Sequence, residues 1–198
     1  EIPYFSERNI PFTYEGNPLV DAVDGFDYKR PSTDKYIAIL AGSRKAEISR
    51  MMPTCMEIVD SLSALPQYKD FRFLIAGAPA RSKEDYMDFI AGRDKVKLLF
   101  GQTYDILKHA EAAIINSGTA SLEAALIGTP QVVCWSTSAL TFWAAKHILK
   151  VGEHIKYISL GNLCLDELVF RELIQDKFSP EAVISELRRL MEDDNYRT

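Results

Sequence analysis

The chain has 198 residues, of which 47% are apolar and 26% are charged, and its formal net charge is −5. This apolar content is enough for a packed core, and it excludes a disordered chain, a collagen, a coiled coil and a disulfide scaffold. A mildly acidic chain also lacks the basic surface of a nonspecific nucleic-acid binder, although a small basic pocket for a phosphate remains compatible with it.

The cysteines, the histidines and the first residues bear on the redox compartment, on metal binding and on whether the chain is part of a longer protein. Three widely separated cysteines form no CxxC pair, which predicts buried thiols in a reducing compartment. Three scattered histidines suggest no metal cluster. No apolar run approaches the ~18 residues of a membrane span, and no signal peptide opens the chain. Because the chain begins with Glu1 in sequence typical of a domain interior, we expect it to be a piece of a longer protein.

Strand and helix patterns alternate along the chain after an irregular opening segment. Short apolar runs predict buried strands at residues 36–40, 71–76, 96–100, 112–116 and 131–135. Apolar residues spaced three and four apart predict helices at residues 48–65, 82–90, 104–110, 120–127 and 139–149. The last part of the chain predicts a short strand at residues 157–160 and helices at residues 166–175 and 180–192, with Ser179 as the N-cap of the final helix.

This alternation predicts the fold class. Strands joined through helices by short connections form a parallel sheet with helices on both faces, which is the Rossmann-like α/β architecture. We expect one such domain over residues 36–198, preceded by a lead-in segment over residues 1–35. In open parallel sheets, ligands bind beyond the carboxyl ends of the strands, so the turns there are the candidate sites.

The turn after the first predicted strand has the residues of an anion site. Gly42 lets the backbone approach a ligand, Ser43 can cap the following helix, and Arg44 offers a planar guanidinium to a phosphate. A plain capped turn with a solvated arginine is the alternative interpretation.

A second turn of this kind follows the strand at residues 112–116. It places small polar residues between a strand end and a helix: Asn116, Ser117, Gly118, Thr119 and Ala120. Backbone N–H groups of residues 117–120 would surround a phosphate at the helix N-terminus, and Glu123 would accept hydrogen bonds from vicinal ribose hydroxyls. An ordinary N-cap with a dipole-complementing glutamate is the alternative. Neither turn matches a GxGxxG fingerprint or a P-loop, which disfavours a dinucleotide cofactor and ATP hydrolysis.

A third turn begins at Gly101, after the strand at residues 96–100. Its glycine could contact a base or a sugar, but a simple turn is the favoured interpretation.

Six sequence blocks resemble the C-terminal part of the bacterial lipid-A-disaccharide synthases, which are GT-B glycosyltransferases. They are GNPLVD at 16–21, LAGSRKAEI at 40–48, NSGTASLEAALIGTPQVV at 116–133, LTFWAAKHILK at 140–150, SLGNL at 159–163 and ELIQ at 172–175. The TFW…K block followed by the SLxNL block is the most specific part, since the SGT–Glu pattern occurs widely among GT-B enzymes.

The resemblance implies a function for the whole enzyme. Members of the family transfer 2,3-diacylglucosamine from UDP-2,3-diacylglucosamine to 2,3-diacylglucosamine 1-phosphate and release UDP. The resemblance places the lipid acceptor and the catalytic groups in an N-terminal lobe, from which residues 1–35 lead in, and the UDP-sugar in this chain. It further implies no metal or cofactor, a cytoplasmic enzyme peripheral to the inner membrane of a Gram-negative bacterium, and a possible homodimer of the full-length protein.

Some positions depart from the family pattern. Ala41 stands where proline is usual, Asn17 where histidine is frequent, and Gly161 where proline is usual. Asp166 and Glu167 replace a Gly-Arg pair, so a phosphate contact by that arginine does not carry over. The resemblance adds three further nucleotide-sugar contacts: Asn162, Glu172 and Gln175.

Two other functions remain open at this point. One is a UDP-N-acetylglucosamine 2-epimerase or another GT-B enzyme, and the other is a noncatalytic nucleotide-sugar-binding module. In the helix predicted at residues 139–149, Phe142 and Trp143 with Lys146 and Lys150 could meet lipid. An aromatic pair facing the core is the favoured interpretation of that helix.

Overall fold

A computed structural model describes residues 2–138 and 156–197. Within these residues, a six-stranded sheet has the strand order β3-β2-β1-β4-β5-β6, and every neighbouring pair is parallel. Its strands are β1 Tyr36–Leu40, β2 Arg72–Gly77, β3 Val96–Phe100, β4 Ala112–Asn116, β5 Gln131–Trp135 and β6 Arg171–Ile174.

Helices connect and flank the strands. They are α1 Ile2–Glu7, α2 Pro18–Asp24, α3 Lys45–Ser63, α4 Glu84–Ile90, α5 Thr103–His109, α6 Thr119–Ile127, α7 Leu160–Leu165, α8 Pro180–Glu192 and α9 Asp194–Arg197. No helix in the described part of the chain has the length and apolarity to cross a bilayer.

The central strands β1, β2, β4 and β5 are buried on both faces, and alternate residues of β1, β2 and β4 supply the two cores. Ile37 and Ile39 face one core, which α3, α4 and α8 cover. Tyr36, Ala38 and Leu40 face the other, which is covered by α5 and α6. This arrangement confirms the predicted α/β class with helices on both faces. It also explains why the strands read as continuous apolar runs rather than alternating ones.

The chain reverses direction across the sheet between β1 and β4. It moves outward from β1 through β2 to β3, then returns to place β4 on the other side of β1. The carboxyl ends of β1 and β4 therefore form a topological switch point, where connections lead to opposite sides and leave a crevice. One candidate anion turn follows β1, and the other follows β4.

Part of the lead-in segment, residues 1–35, packs against the helices on one face of the sheet. Asn17 caps α2 by accepting a hydrogen bond from the Leu19 N–H at 3.0 Å. Val23 of α2 is buried in the α5–α6 core, and the Tyr28 hydroxyl donates to the Val23 carbonyl at 2.9 Å. The Lys29 N–H donates to Asp105 Oδ1 at 2.6 Å, which fixes the segment to α5.

Two predicted elements near the C-terminus are wrong. The strand at residues 157–160 is replaced by the start of α7, because Ser159 is its N-cap and accepts from the Asn162 N–H. The helix at residues 166–175 is replaced by a loop and β6, which pairs with β5. Asp166 has a φ of 50°, a left-handed conformation that stops α7. The predicted helix at residues 139–149, with its aromatic and lysine side chains, lies outside the described residues.

Candidate functional site

A cleft of about 520 Å³ lies at the switch point. It brings together nine of the residues predicted from the sequence: Gly42, Ser43, Arg44, Asn116, Ser117, Gly118, Thr119, Ala120 and Glu123. Its other walls are mainly apolar or aromatic and include Leu40, Ala76, Pro79 and Tyr104. Of the described residues that line the cleft, Arg44 is the single cationic side chain.

The first turn is organised around Glu47, one helical turn into α3. Glu47 Oε2 accepts hydrogen bonds from the Ser43 and Arg44 N–H groups at 2.9 and 3.1 Å. Its Oε1 accepts from Arg44 Nη1 at 2.7 Å. The N-cap of α3 is Arg44, so the expectation that Ser43 caps this helix is wrong. A carboxylate within the chain therefore already occupies the Ser43 and Arg44 N–H groups, and the guanidinium is the charged donor that this turn presents to the cleft.

Glu47 is ionised at neutral pH. Burial acts to raise the pKa of its carboxyl, but the hydrogen bonds from Arg44 and Ser43 outweigh burial and lower that pKa below its usual value. The Arg44 side chain is 82% exposed while that of Glu47 is 19% exposed. The pair therefore holds a solvent-facing guanidinium on a largely buried anchor.

Gly42 is required by this packing. Its φ is +106°, and a Cβ there would lie 2.6 Å from Glu47 Oε2 and 2.8 Å from Asn116 Nδ2. The sequence alone predicts that this glycine lets a ligand approach the backbone, whereas the space that a side chain would take is filled by Glu47 and Asn116.

The second turn leaves backbone donors without acceptors. Gly118 is the N-cap of α6 and provides no side-chain cap, so the N–H groups of Thr119 and Ala120 have no acceptor among the described residues. The Ser117 N–H donates to the Cys134 carbonyl at 2.8 Å, which removes it from the donor set predicted from the sequence. The positive end of the α6 dipole and these amides favour an anion at this point.

Glu123 lies one turn into α6 and is held by a tyrosine. The Tyr104 hydroxyl donates to Glu123 Oε1 at 2.9 Å. Burial, together with the hydrogen bond to the Glu123 carboxylate, raises the pKa of Tyr104 to about 12, so the phenol stays protonated and remains a donor. Within residues 2–138 and 156–197, the second carboxylate oxygen, Oε2, has no hydrogen-bond donor.

Asn162 and Glu172 lie outside the cleft lining and brace the loops beside it. Asn162 is fully buried, and its amide donates to the Phe170 carbonyl and to Glu172 Oε1, each at 2.8 Å. Glu172 accepts from the Ile158 and Ser159 N–H groups at 2.9 Å. Since the Ser117 hydroxyl donates to the Ile158 carbonyl at 2.8 Å, this network supports the second turn from behind.

Gln175 and Gly101 also lie apart from the cleft lining. Gln175 exchanges two hydrogen bonds with the Thr137 backbone, accepting at 2.7 Å and donating at 3.1 Å. Gly101 has a φ of +70° in the turn after β3, and a Cβ there would meet open space. Their predicted contacts with a nucleotide sugar stay predictions.

Sequence reasoning did not select Glu47 or Tyr104. Glu47 stands at the N3 position relative to Arg44, which is the spacing of a capping box, and that signal could have identified it. Tyr104 lies in the third candidate turn but carries no sequence signal for its partner. The pairing with Glu123 depends on how α5 packs against α6.

Metal ligands are not clustered in the described part of the chain. Within residues 2–138 and 156–197, His, Cys, Asp and Glu side chains form no group of three or more that could hold a metal ion.

A smaller cavity of about 250 Å³ lies at the opposite end of the sheet, beside the start of β5 and β6. Its lining includes the charged side chains of Arg171, Arg197 and Glu186, and also Gly128, where α6 ends, so the negative end of that helix dipole faces it. The cleft at the switch point differs in having the positive end of α6 and two amides without an acceptor among the described residues.

Comparison with known proteins agrees with this architecture. An ADP-heptose heptosyltransferase II from E. coli superposes with a TM-score of 0.56 at 14% identity, covering 94% of this chain and 55% of that protein. A UDP-GlcNAc 2-epimerase from Methanocaldococcus jannaschii, crystallised with UDP-GlcNAc and UDP, superposes with a TM-score of 0.51 at 11% identity, covering 91% of this chain and 43% of that protein. These similarities concern the fold alone.

Sequence comparison identifies the family. The lipid-A-disaccharide synthase of Trichlorobacter lovleyi is 32% identical over the whole of this chain and 52% of its own length, so the chain spans about half of that relative. The family model for lipid-A-disaccharide synthetase matches residues 1–198. The chain belongs to the lipid-A-disaccharide synthetase family.

Proposed function

We propose that this chain is the UDP-sugar-binding C-terminal half of a lipid-A-disaccharide synthase. In this proposal the complete enzyme transfers 2,3-diacylglucosamine from UDP-2,3-diacylglucosamine to 2,3-diacylglucosamine 1-phosphate and releases UDP. Residues 36–198 bind the donor, and residues 1–35 lead in from the N-terminal half. The family match supports the synthase over the epimerase-like and noncatalytic alternatives.

One observation carries the proposal: an exposed guanidinium and two helix amides that have no acceptor among the described residues line the same cleft. Arg44 lies on one side of the switch point, and the Thr119 and Ala120 N–H groups lie on the other. This donor set suits the diphosphate of a nucleotide sugar, because a guanidinium forms charge-assisted hydrogen bonds with phosphate and helix N-termini attract anions.

The same donors would assist the chemical step. When the bond from the anomeric carbon to the diphosphate breaks, negative charge grows on the departing UDP. Arg44 and the α6 amides are fixed in place before that charge develops. Glu123 orients the nucleotide by accepting hydrogen bonds from the ribose hydroxyls. The leaving group is stabilised by protein donors in this scheme, with no metal required.

The acceptor and the general base belong to the N-terminal half in this proposal. Transfer needs an acceptor hydroxyl and a base held about 3–3.5 Å from the reacting centre. This chain by itself is expected to bind UDP and to transfer no sugar. Because donor and acceptor both carry acyl chains, the complete enzyme would work in the cytoplasm at the surface of the inner membrane.

Calorimetric titration of UDP into this chain tests the proposal. Arg44→Ala should weaken binding by about 1.5–3 kcal/mol, the range for a hydrogen bond to a charged group. Lys45→Ala is the matched control, because this substitution removes the same charge from the next position. Lys45 pairs with Asp85 at 3.6 Å and does not line the cleft. Equal UDP affinity in the wild type and Arg44→Ala would refute the assignment.

A further inference from the structure

We infer that Tyr104 is a positioning residue that presents the Glu123 carboxylate to the ribose, and that residues 26–28 of the lead-in segment hold Tyr104 in place. The inference rests on the proposed function and assigns a specificity role within the same cleft. The hydrogen bond from the Tyr104 hydroxyl to Glu123 Oε1 and its place in the cleft wall are the starting observations.

The hydrogen bond restricts a side chain that would otherwise be mobile. A partly exposed glutamate samples several rotamers, and ordering it on binding costs conformational entropy. Tyr104 is stiffer, with two side-chain torsions, and it lies in the first turn of α5, which packs beside α6. By engaging Oε1, the phenol fixes the plane of the carboxylate and leaves Oε2 to accept from a ligand hydroxyl.

Aromatic contacts connect Tyr104 to the lead-in segment. The Phe26 ring packs edge-on against Tyr104 at 5.1 Å between centroids and against Tyr28 at 5.0 Å. Tyr28 in turn packs on the α5–α6 core and is hydrogen-bonded to Val23. The next residue, Lys29, is bonded to the Asp105 carboxylate, which follows Tyr104 in the chain. The lead-in segment therefore supports the position of Tyr104 from two directions.

This geometry predicts that the cleft discriminates between a ribose and a sugar that lacks the 2′ and 3′ hydroxyls. A ligand that lacks the 2′ and 3′ hydroxyls gains nothing from an oriented Glu123. The opposite case would be that Tyr104 competes with the ribose for Oε1, and removing its hydroxyl would then strengthen UDP binding. On removal of the Tyr104 hydroxyl, the first case predicts weaker UDP binding and the second predicts stronger UDP binding.

The test compares UDP with 2′,3′-dideoxy-UDP by calorimetry on this chain and on Tyr104→Phe. The variant retains the ring and its contacts, so its thermal unfolding midpoint should stay close to that of the wild type. We expect a loss of UDP affinity of about threefold to tenfold, the value of one hydrogen bond, with dideoxy-UDP affinity unchanged. Equal losses for both ligands, an unchanged UDP affinity or a gain in UDP affinity would each overturn the inference.

Two further measurements separate this inference from the proposed function. Phe26→Leu should reduce the preference for UDP over dideoxy-UDP in the same direction, by a smaller factor. An unchanged preference there would overturn the role of the lead-in segment. If the wild type itself shows no preference for UDP, the ribose role of Glu123 fails and this inference fails with it. A clear wild-type preference that survives in Tyr104→Phe overturns the Tyr104 assignment alone.

Discussion

Arg44 is held by Glu47 through both its backbone and its side chain. The Arg44 N–H donates to Glu47 Oε2 at 3.1 Å, and Arg44 Nη1 donates to Glu47 Oε1 at 2.7 Å. The carboxylate therefore takes two of the backbone N–H groups that precede α3. The first turn presents a guanidinium to the cleft, and the second presents backbone amides.

Gly42→Ala should destabilise the protein by about 2–6 kcal/mol and weaken UDP binding. The methyl group would require a strained φ and would displace Glu47 or Asn116, two costs of about 1–3 kcal/mol each. Urea unfolding gives the free energy, and calorimetry gives the affinity.

The control for this prediction is Gly92→Ala. Gly92 also has a positive φ, but its Cβ would meet open space, and it does not line the cleft. We expect a cost of about 1 kcal/mol from the backbone alone and an unchanged UDP affinity. Similar destabilisation by the two substitutions would contradict the assigned contact between Gly42 and Glu47.

Stability conferred by Glu47 should depend on pH. Because the pKa of Glu47 is lowered on folding, its ionised form stabilises the native state above the unfolded pKa of about 4.5, and this contribution disappears as pH falls through the lower, folded pKa. Glu47→Gln should therefore cost about 1–2 kcal/mol in the free energy of unfolding at pH 7. The difference between wild type and variant should shrink below pH 4.5. Urea unfolding at several pH values measures it, and a pH-independent difference would argue against the charged capping role.

Glu123→Gln should reduce UDP affinity and leave 2′,3′-dideoxy-UDP affinity nearly unchanged. The amide is isosteric with the carboxylate but accepts hydrogen bonds through one oxygen and without charge, so about 1.5–3 kcal/mol is expected from the lost charged hydrogen bonds. Calorimetry with both nucleotides measures the difference. Equal losses for both ligands would point away from a ribose role.

Asn162→Ala should lower the free energy of unfolding by about 2–3 kcal/mol, since it removes four hydrogen bonds between a fully buried amide and partly buried partners. Gln175→Ala, which removes two hydrogen bonds to one half-buried residue, is expected to cost about 1 kcal/mol. Urea unfolding compares them. An Asn162→Ala protein of wild-type stability that no longer binds UDP would instead support direct contact with the ligand.

Most strands could be predicted from the sequence, because each is a continuous apolar run that ends at turn residues. The predicted strands at residues 36–40, 96–100, 112–116 and 131–135 coincide with β1, β3, β4 and β5. Residues 166–175 could not be predicted in the same way, since β6 exists through its pairing with β5, and this long-range contact leaves no local signal. A helical spacing of apolar residues there was misleading.

The location of the cleft followed from the sequence, and so did Arg44 and the amides of Thr119 and Ala120, but the complete set of available donors did not. Strand ends of a parallel sheet predict where Arg44 and residues 117–120 meet. Which N–H groups remain available depends on acceptors elsewhere in the chain. The Cys134 carbonyl takes the Ser117 N–H, and Glu47 takes the N–H groups of Ser43 and Arg44. Such pairings are decided by tertiary packing, which a single sequence does not display.

The most direct test of the central claim is a crystal structure of this chain with UDP at saturating concentration. The diphosphate should lie between the Arg44 guanidinium and the N–H groups of Thr119 and Ala120, with the ribose hydroxyls at Glu123. UDP bound away from Arg44, for example in the cavity beside the start of β5 and β6, would contradict the account.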